Sequence, residues 1–307
     1  MSLKTVAIFK LRWIHISPIS DEDIGYLEQN FRFHNLDLKD CREGVQRPKL
    51  DIYKHYLFMI FHFPMFNKQT RRVGIQSLNV FLGEDYLITA TNDRDHFLER
   101  YFNRFRKSGK RSLHYDPFKN NASYLLYKII DIMYHRTLPV INEIGVYLSE
   151  VEEEVYSHKN KDATTNLSII RRNILNLRRI LEPQLKMVDR LVHMKASFFS
   201  EKLSVYYDDV HDYLENMWAA LGNYKDTLDG LFNTNESFIN QRTNEVIKTL
   251  TVISVALLPM TLVASIYGMN VTNLPLADHP IGIWVILFIL ASIVLASIYF
   301  AKRKKII

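Results

Sequence analysis

Two groups of residues in this 307-residue sequence have the atoms to handle a cation or its water. One is Tyr267-Gly268-Met269-Asn270, where the Asn270 amide oxygen and the Gly268 carbonyl are acceptors without fixed charge. The other is Asp208, Asp209 and Asp212 with His211 among them. Carboxylates are ligands for hard divalent ions, and an imidazole beside them makes a site friendlier to zinc, cobalt or nickel. Each group also has a plainer reading: Gly268 and Asn270 as a helix C-cap, the aspartates as a solvated helix face. No glycine-rich phosphate loop, G-x-S-x-G or H-E-x-x-H occurs, which disfavours an enzyme.

The elements that must position these groups are apolar. Thr249 to Ile266 and Ile281 to Ala301 carry no charge, and each run comes to roughly 30 Å as a helix, the thickness of bilayer hydrocarbon. Two C-terminal membrane spans are expected. Pro259 lies inside the first, which membrane helices tolerate when neighbours re-satisfy the backbone. The alternative, a pair of buried core helices, fits poorly with the basic run Lys302, Arg303, Lys304 and Lys305 directly after the second. Arg242 and Lys248 precede the first span, while 267–280 contains no Lys or Arg. The positive-inside rule therefore places both termini in the cytoplasm and the 267–280 loop outside. No signal-peptide pattern follows Met1, and the single Cys41 excludes a disulfide framework.

Residues 1–115 mix short β-like runs with turns: Thr5–Leu11, Leu50–Phe63, and Ile75–Leu82 with Tyr86–Ala90 around Gly83-Glu84-Asp85, which reads as a hairpin. Asp93 to Arg106 reads as helix, so this region is expected to be a cytoplasmic α/β domain. Residues 116–202 read as a long antiparallel helical pair. Its first helix, Tyr124–Tyr156, ends in Glu150, Glu152, Glu153 and Glu154, before a Lys159-Asn160-Lys161-Asp162 loop. Its return helix, Thr165–Phe199, carries the stripe Ile170, Ile174, Leu177 and Leu181 beside basic Arg171, Arg172, Arg178 and Arg179. The net charge of +6 is spread along helices and gathered at the membrane face, which suits anionic lipid. No nucleic-acid partner is expected.

From Leu203 no strong breaker intervenes before Pro259. A stalk helix 203–266 of about 60 residues would run roughly 90 Å and continue into the first span. Asn244, Ile247, Leu250 or Thr251, Ser254, Leu258 and Thr261 recur at three and four residues on one stripe. Small polar groups there can touch hydrated ions, while rings of Ile247 and Leu250 can gate by dewetting. Packing against neighbouring helices explains the apolar members equally well. Two spans per chain cannot enclose a pore, so a symmetric ring of subunits follows.

Tyr267-Gly268-Met269-Asn270 between two C-terminal spans with a basic 302–307 tail resembles the CorA family of magnesium channels and transporters. Thr243-Asn244-Glu245-Val246 and Tyr124-Leu125-Leu126-Tyr127 are similar to stretches in bacterial CorA proteins. The resemblance implies an α+β cytoplasmic domain, a long helical stalk and two transmembrane helices in a funnel-shaped homopentamer of the cytoplasmic (inner) membrane. It implies Mg2+ as transported and regulatory ion, with Co2+ or Ni2+ also carried and no organic cofactor. Gly268, Met269 and Asn270 would form the selectivity filter, holding the hydrated ion through its waters. Asp209, with Asp208 beside it, matches the acidic sensor on the stalk. Asp40, ahead of Gln46-Arg47-Pro48-Lys49, matches its cross-subunit partner, and Asp131 matches a secondary acidic position. The sequence departs from the family where an acidic residue often follows a Met-Pro pair: here it has Leu274-Pro275-Leu276, with Asp278 and His279 beyond. Relatives resembling the zinc transporter ZntB also lack that acid, so a proton-coupled zinc transporter is the alternative.

Overall fold

The computed structural model describes residues 2–8, 10–44, 46–92, 96–112, 121–157, 163–196, 199, 201–269 and 281–303. Six strands form one sheet: β1 (Leu3–Ile8), β2 (Leu11–Ile16), β3 (Lys49–Ile52), β4 (Leu57–Asn67), β5 (Arg72–Leu82) and β6 (Tyr86–Ala90), in the order β1-β2-β6-β5-β4-β3. Every neighbouring pair is antiparallel except β2 with β6. The apolar run Leu57-Phe58-Met59-Ile60-Phe61 is fully buried, because helices cover both faces of the sheet and no strand position here meets water. The β5–β6 hairpin turns at Gly83, whose N–H donates to the Tyr86 carbonyl at 3.0 Å. Two expected single strands are in fact pairs: Thr5–Leu11 belongs to β1 and β2, and Leu50–Phe63 to β3 and β4.

One face carries α1 (Asp21–Asn30) and α2 (Asn35–Glu43), which pack Leu27, Leu38 and Cys41 against Ile14, Phe58, Phe81 and Ile88. Neither helix is among the elements expected from sequence. The other face carries α4 (Ala122–Ser157) and α5 (Ala163–Val192). On α5 the stripe Ile170, Ile174, Leu177 and Leu181 is fully buried, but the helix stops at Val192 rather than running to Phe199. The remaining helix, α3 (His96–Ser112), starts three residues later and ends later than the expected Asp93–Arg106; Asp93 and the 158–162 loop lie outside the described residues.

Two side chains of α5 complete the sheet's backbone hydrogen bonding. β3 pairs with β4 only as far as Ile60, so His62 beyond it has no strand partner on that edge. Gln184 supplies one: its Oε1 accepts from the His62 N–H at 3.1 Å, and its Nε2 donates to the His62 carbonyl at 2.8 Å. Asn173 does the same at the start of β5, accepting from Val73 N–H at 3.1 Å and donating to the Arg71 carbonyl at 2.7 Å. Buried main-chain groups need such partners.

The helix α6 (Ser204–Tyr267, 64 residues) is followed by α7 (Gly282–Arg303, 22 residues). The chain divides inside α6 into two compact units, Met1–Leu231 and Phe232–Ile307. Within the first, Leu203, Tyr207, Val210, Leu214, Met217, Leu221, Leu228 and Leu231 form a buried stripe. There α6 lies close to α4: a Cβ on Gly145 would stand 2.4 Å from the Tyr224 hydroxyl. The stripe ends at Leu231, and every residue from 239 to 251 is exposed.

Candidate functional site

The membrane-length part of α6 is an apolar surface that the described residues of its own chain leave largely uncovered. An 18-residue window there has a mean hydropathy of 2.1 with 6% buried, and α7 contributes a shorter apolar stretch, Gly282–Ala296. Asn244, Ile247, Leu250, Thr251, Ser254, Leu258 and Thr261 are all exposed. The hydroxyls among them share one geometry. Thr251 donates to the Ile247 carbonyl at 2.8 Å, Ser254 to Leu250 at 2.9 Å and Thr261 to Leu257 at 3.1 Å. Each hydroxyl hydrogen is thus committed to the preceding turn, and the oxygen lone pairs alone remain for an outside partner. Membrane helices tolerate these hydroxyls because the backbone satisfies them.

At the helix end, Gly268 N–H donates to the Ala264 carbonyl at 2.9 Å and Met269 N–H to Ile266 at 3.3 Å. Gly268 therefore continues the helical hydrogen bonding, and it is not among the positive-φ residues. A Cβ at 268 would stand 3.1 Å from the Ala264 carbonyl oxygen, a tight approach that glycine avoids. Asn270, Leu274, Pro275, Leu276, Asp278 and His279 lie outside the described residues, as do Lys304 and Lys305.

The acidic residues fall in two surroundings. On α2, Asp40 is half-buried with its Oδ2 at 2.7 Å from Lys49 Nζ, and the same ammonium reaches Asp51 Oδ2 at 2.6 Å. The ammonium also lies 5.1 Å from the centre of the Phe58 ring. On α4, burial pushes the Asp131 carboxyl above its ordinary range. The imidazole of His135, 3.3 Å away and four residues on, opposes that shift, and the charge of Asp209 on α6 adds to it. The charge of Asp209 thus acts on Asp131 within one chain, and carboxylates are ligands for a hard divalent cation. Asp40 fits a cation less well as it stands, since Lys49 already neutralises it. Asp208 and Asp209 are exposed. Beside them His211, Asp212 and Glu215 place ligand atoms within 4.8 Å of one another.

Sequence reasoning missed His135, Glu215 and Lys49. The first two were legible as helical i,i+4 neighbours of Asp131 and His211. Lys49 was not: its pairing with Asp40 arises only because β3 returns beside α2.

The family model described as CorA-like Mg2+ transporter protein matches residues 10–304. The chain belongs to this family. Among curated relatives, the cobalt/magnesium transport protein CorA of Thermotoga maritima is 25% identical over 296 residues, covering 95% of this chain and 82% of that protein. Among solved structures, the complete CorA magnesium transporter of Methanocaldococcus jannaschii superposes with a TM-score of 0.81 at 18% identity, over 97% of this chain and 92% of that one. A weaker likeness, TM-score 0.56 at 15% identity over 76% and 90% of the two chains, is to the ZntB cytoplasmic domain of Vibrio parahaemolyticus. The CorA fold accounts for the α/β domain followed by a long helix, and membrane location accounts for the uncovered apolar face of α6.

Proposed function

We propose that this CorA-family protein is a channel-like transporter for divalent cations, Mg2+ foremost, built as a homopentamer around α6. The observation that carries the reading is the stripe of exposed hydroxyls on α6, each with its hydrogen turned inward and its lone pairs free. Mg2+ gives up its water reluctantly and demands octahedral oxygen geometry. A pore that handles it economically holds the hydrated ion, whose waters present hydrogens outward. Thr251, Ser254 and Thr261 accept those hydrogens, Ile247, Leu250 and Leu258 narrow the path, and Asn244 stands at its cytoplasmic end. Gly268, Met269 and Asn270 form the outer filter, with Asn270 amide oxygens accepting from the ion's waters.

In this reading the protein lies in the cytoplasmic membrane with two spans, Thr249 to Ile266, which continues the stalk helix 203–266, and 281–301, and with both termini inside. The positive-inside distribution supports that orientation. Intracellular Mg2+ regulates the pore through Asp40, Asp131, Asp208 and Asp209, the ion offsetting repulsion between carboxylates across subunits. Entry of a divalent cation down a membrane potential releases roughly 4.6 kcal/mol per 100 mV, so voltage alone suffices to drive it.

The test is ion flux into liposomes carrying the purified protein, with Mg2+, Zn2+, Co2+ and Ni2+ compared with and without a proton gradient. Voltage-driven Mg2+ flux that collapses in Asn270→Ala, with the oligomer intact, is the expected result. Zinc flux that requires the proton gradient would replace this reading with the ZntB-like one.

A further inference from the structure

The sheet domain contains a cleft that the transport reading does not use. It has a volume of about 530 Å3, within the roughly 300–1,000 Å3 typical of small-molecule sites, and lies between the 46–48 segment, the β4–β5 edge and the middle of α5. Its wall includes Arg47, Arg179, Lys186, Glu182, Pro183 and His62. Lys186 Nζ is 3.4 Å from Glu182 Oε1, so those two charges compensate each other. Arg47 and Arg179 are exposed, and among the described residues neither forms an ion pair or a hydrogen bond. Two uncompensated guanidiniums therefore line one cleft.

The inner wall adds a second, independent observation. His62 is 4% exposed, the Gln46 main chain acts on its ring, and its Nε2 is a buried nitrogen with no hydrogen bond of ordinary geometry. Buried polar atoms in this condition are uncommon and costly, and a ligand group is one way to satisfy them. Burial also holds the His62 pKa down, so the ring is neutral and keeps both donor and acceptor character. Pro183 contributes as well: it has no N–H, so the Arg179 carbonyl in the same wall lacks its ordinary helical donor.

We infer that this cleft binds a small phosphate-bearing anion, with Arg47 and Arg179 on the phosphoryl oxygens and His62 Nε2 on a further polar atom of the same ligand. The planar guanidinium fork matches phosphate oxygens bidentately, which a lone ammonium cannot do. A single carboxylate would leave one guanidinium uncompensated in a cleft of this size. The phosphate could be carried by a free oligophosphate or by a nucleotide, and the two sources share the chemistry of the two arginines.

Isothermal titration calorimetry on the full-length protein in detergent, without divalent ions, separates them. The probes are inorganic pyrophosphate, ATP and adenosine. Saturable binding of pyrophosphate or ATP, with none of adenosine, is expected. The Arg47→Ala, Arg179→Ala double variant should weaken it at least 30-fold, and both positions are exposed, so folding is preserved. Equal affinity for pyrophosphate and ATP assigns the site to oligophosphate; ATP tighter by tenfold or more assigns it to a nucleotide. Failure of both phosphate probes to bind, adenosine binding as tightly as ATP, or a double variant within twofold of the parent overturns the proposal. The readout is binding alone, so it stands or falls separately from ion flux.

Discussion

Lys49 Nζ lies 2.7 Å from Asp40 Oδ2, so the carboxylate proposed to share a regulatory cation already has a cation of its own. The pair is partly buried, with side chains 32% and 22% exposed, and it is shielded from water more than a surface ion pair. A regulatory Mg2+ must compete with an ammonium for Asp40.

Removing the competitor should sharpen the response. Lys49→Met is expected to lower the internal Mg2+ concentration that half-inhibits flux by about fivefold, equivalent to about 1 kcal/mol. Asp40→Asn with Asp209→Asn should leave flux active at high internal Mg2+. Liposome flux at graded internal Mg2+ checks both; an unchanged half-inhibiting concentration in Lys49→Met would remove Asp40 from the regulatory site.

Gly268→Ala tests the helix end. The added Cβ meets the Ala264 carbonyl at 3.1 Å, so the backbone must shift by a few tenths of an ångström immediately before Asn270. Flux should drop at least tenfold while the oligomer persists on size-exclusion chromatography. Flux equal to the parent would show that the filter tolerates displacement of this turn.

Gln184→Ala tests how α5 is fastened to the sheet. The change strands the His62 N–H and carbonyl together, and the Tyr134 hydroxyl, 3.1 Å from Gln184 Oε1, loses its acceptor. A cost of about 3 kcal/mol is expected in denaturant unfolding. A loss below about 0.5 kcal/mol would mean that water replaces the amide.

The pH dependence of stability should carry the mark of His62. Its folded pKa is lowered from 6.5, chiefly by burial and despite the Gln46 main chain, so the unfolded state takes up the proton more readily. That contribution to stability is complete above pH 6.5 and is lost as the pH falls from there through the folded value. His62→Gln should flatten the melting temperature between pH 7 and pH 5; an unaltered slope would place the acid sensitivity elsewhere.

Legibility from sequence followed how local each signal is. The unbroken run Leu57–Phe61 announces a strand covered on both faces, and the three-residue turn at Gly83 announces the β5–β6 hairpin. β1 and β2 were run together because Leu3 to Ile16 contains no Gly, Pro or Asn. α2 was invisible because its N-cap is His34, which accepts from Leu36 N–H at 3.2 Å in a place usually held by Ser, Thr, Asp or Asn. α1 had a legible signal, the Ser20 and Asp23 capping box, that went unused. The candidate site divides the same way. The α6 stripe is a matter of three-and-four spacing along one helix, whereas Asp40 with Lys49 and Asp131 with Asp209 join residues whose proximity depends on the tertiary fold.

The inward-turned hydroxyls of α6 have a further consequence, for anions. Between Asn244 and Asn270, whose amides carry donors, the proposed pore wall at these hydroxyls presents oxygen lone pairs, offers chloride no donor there, and repels it by its partial charge. In the proposed pore, Thr251, Ser254 and Thr261 would therefore discriminate by sign without one charged side chain among them. The cation is not held by a full opposite charge at these positions, so it can leave as readily as it arrives.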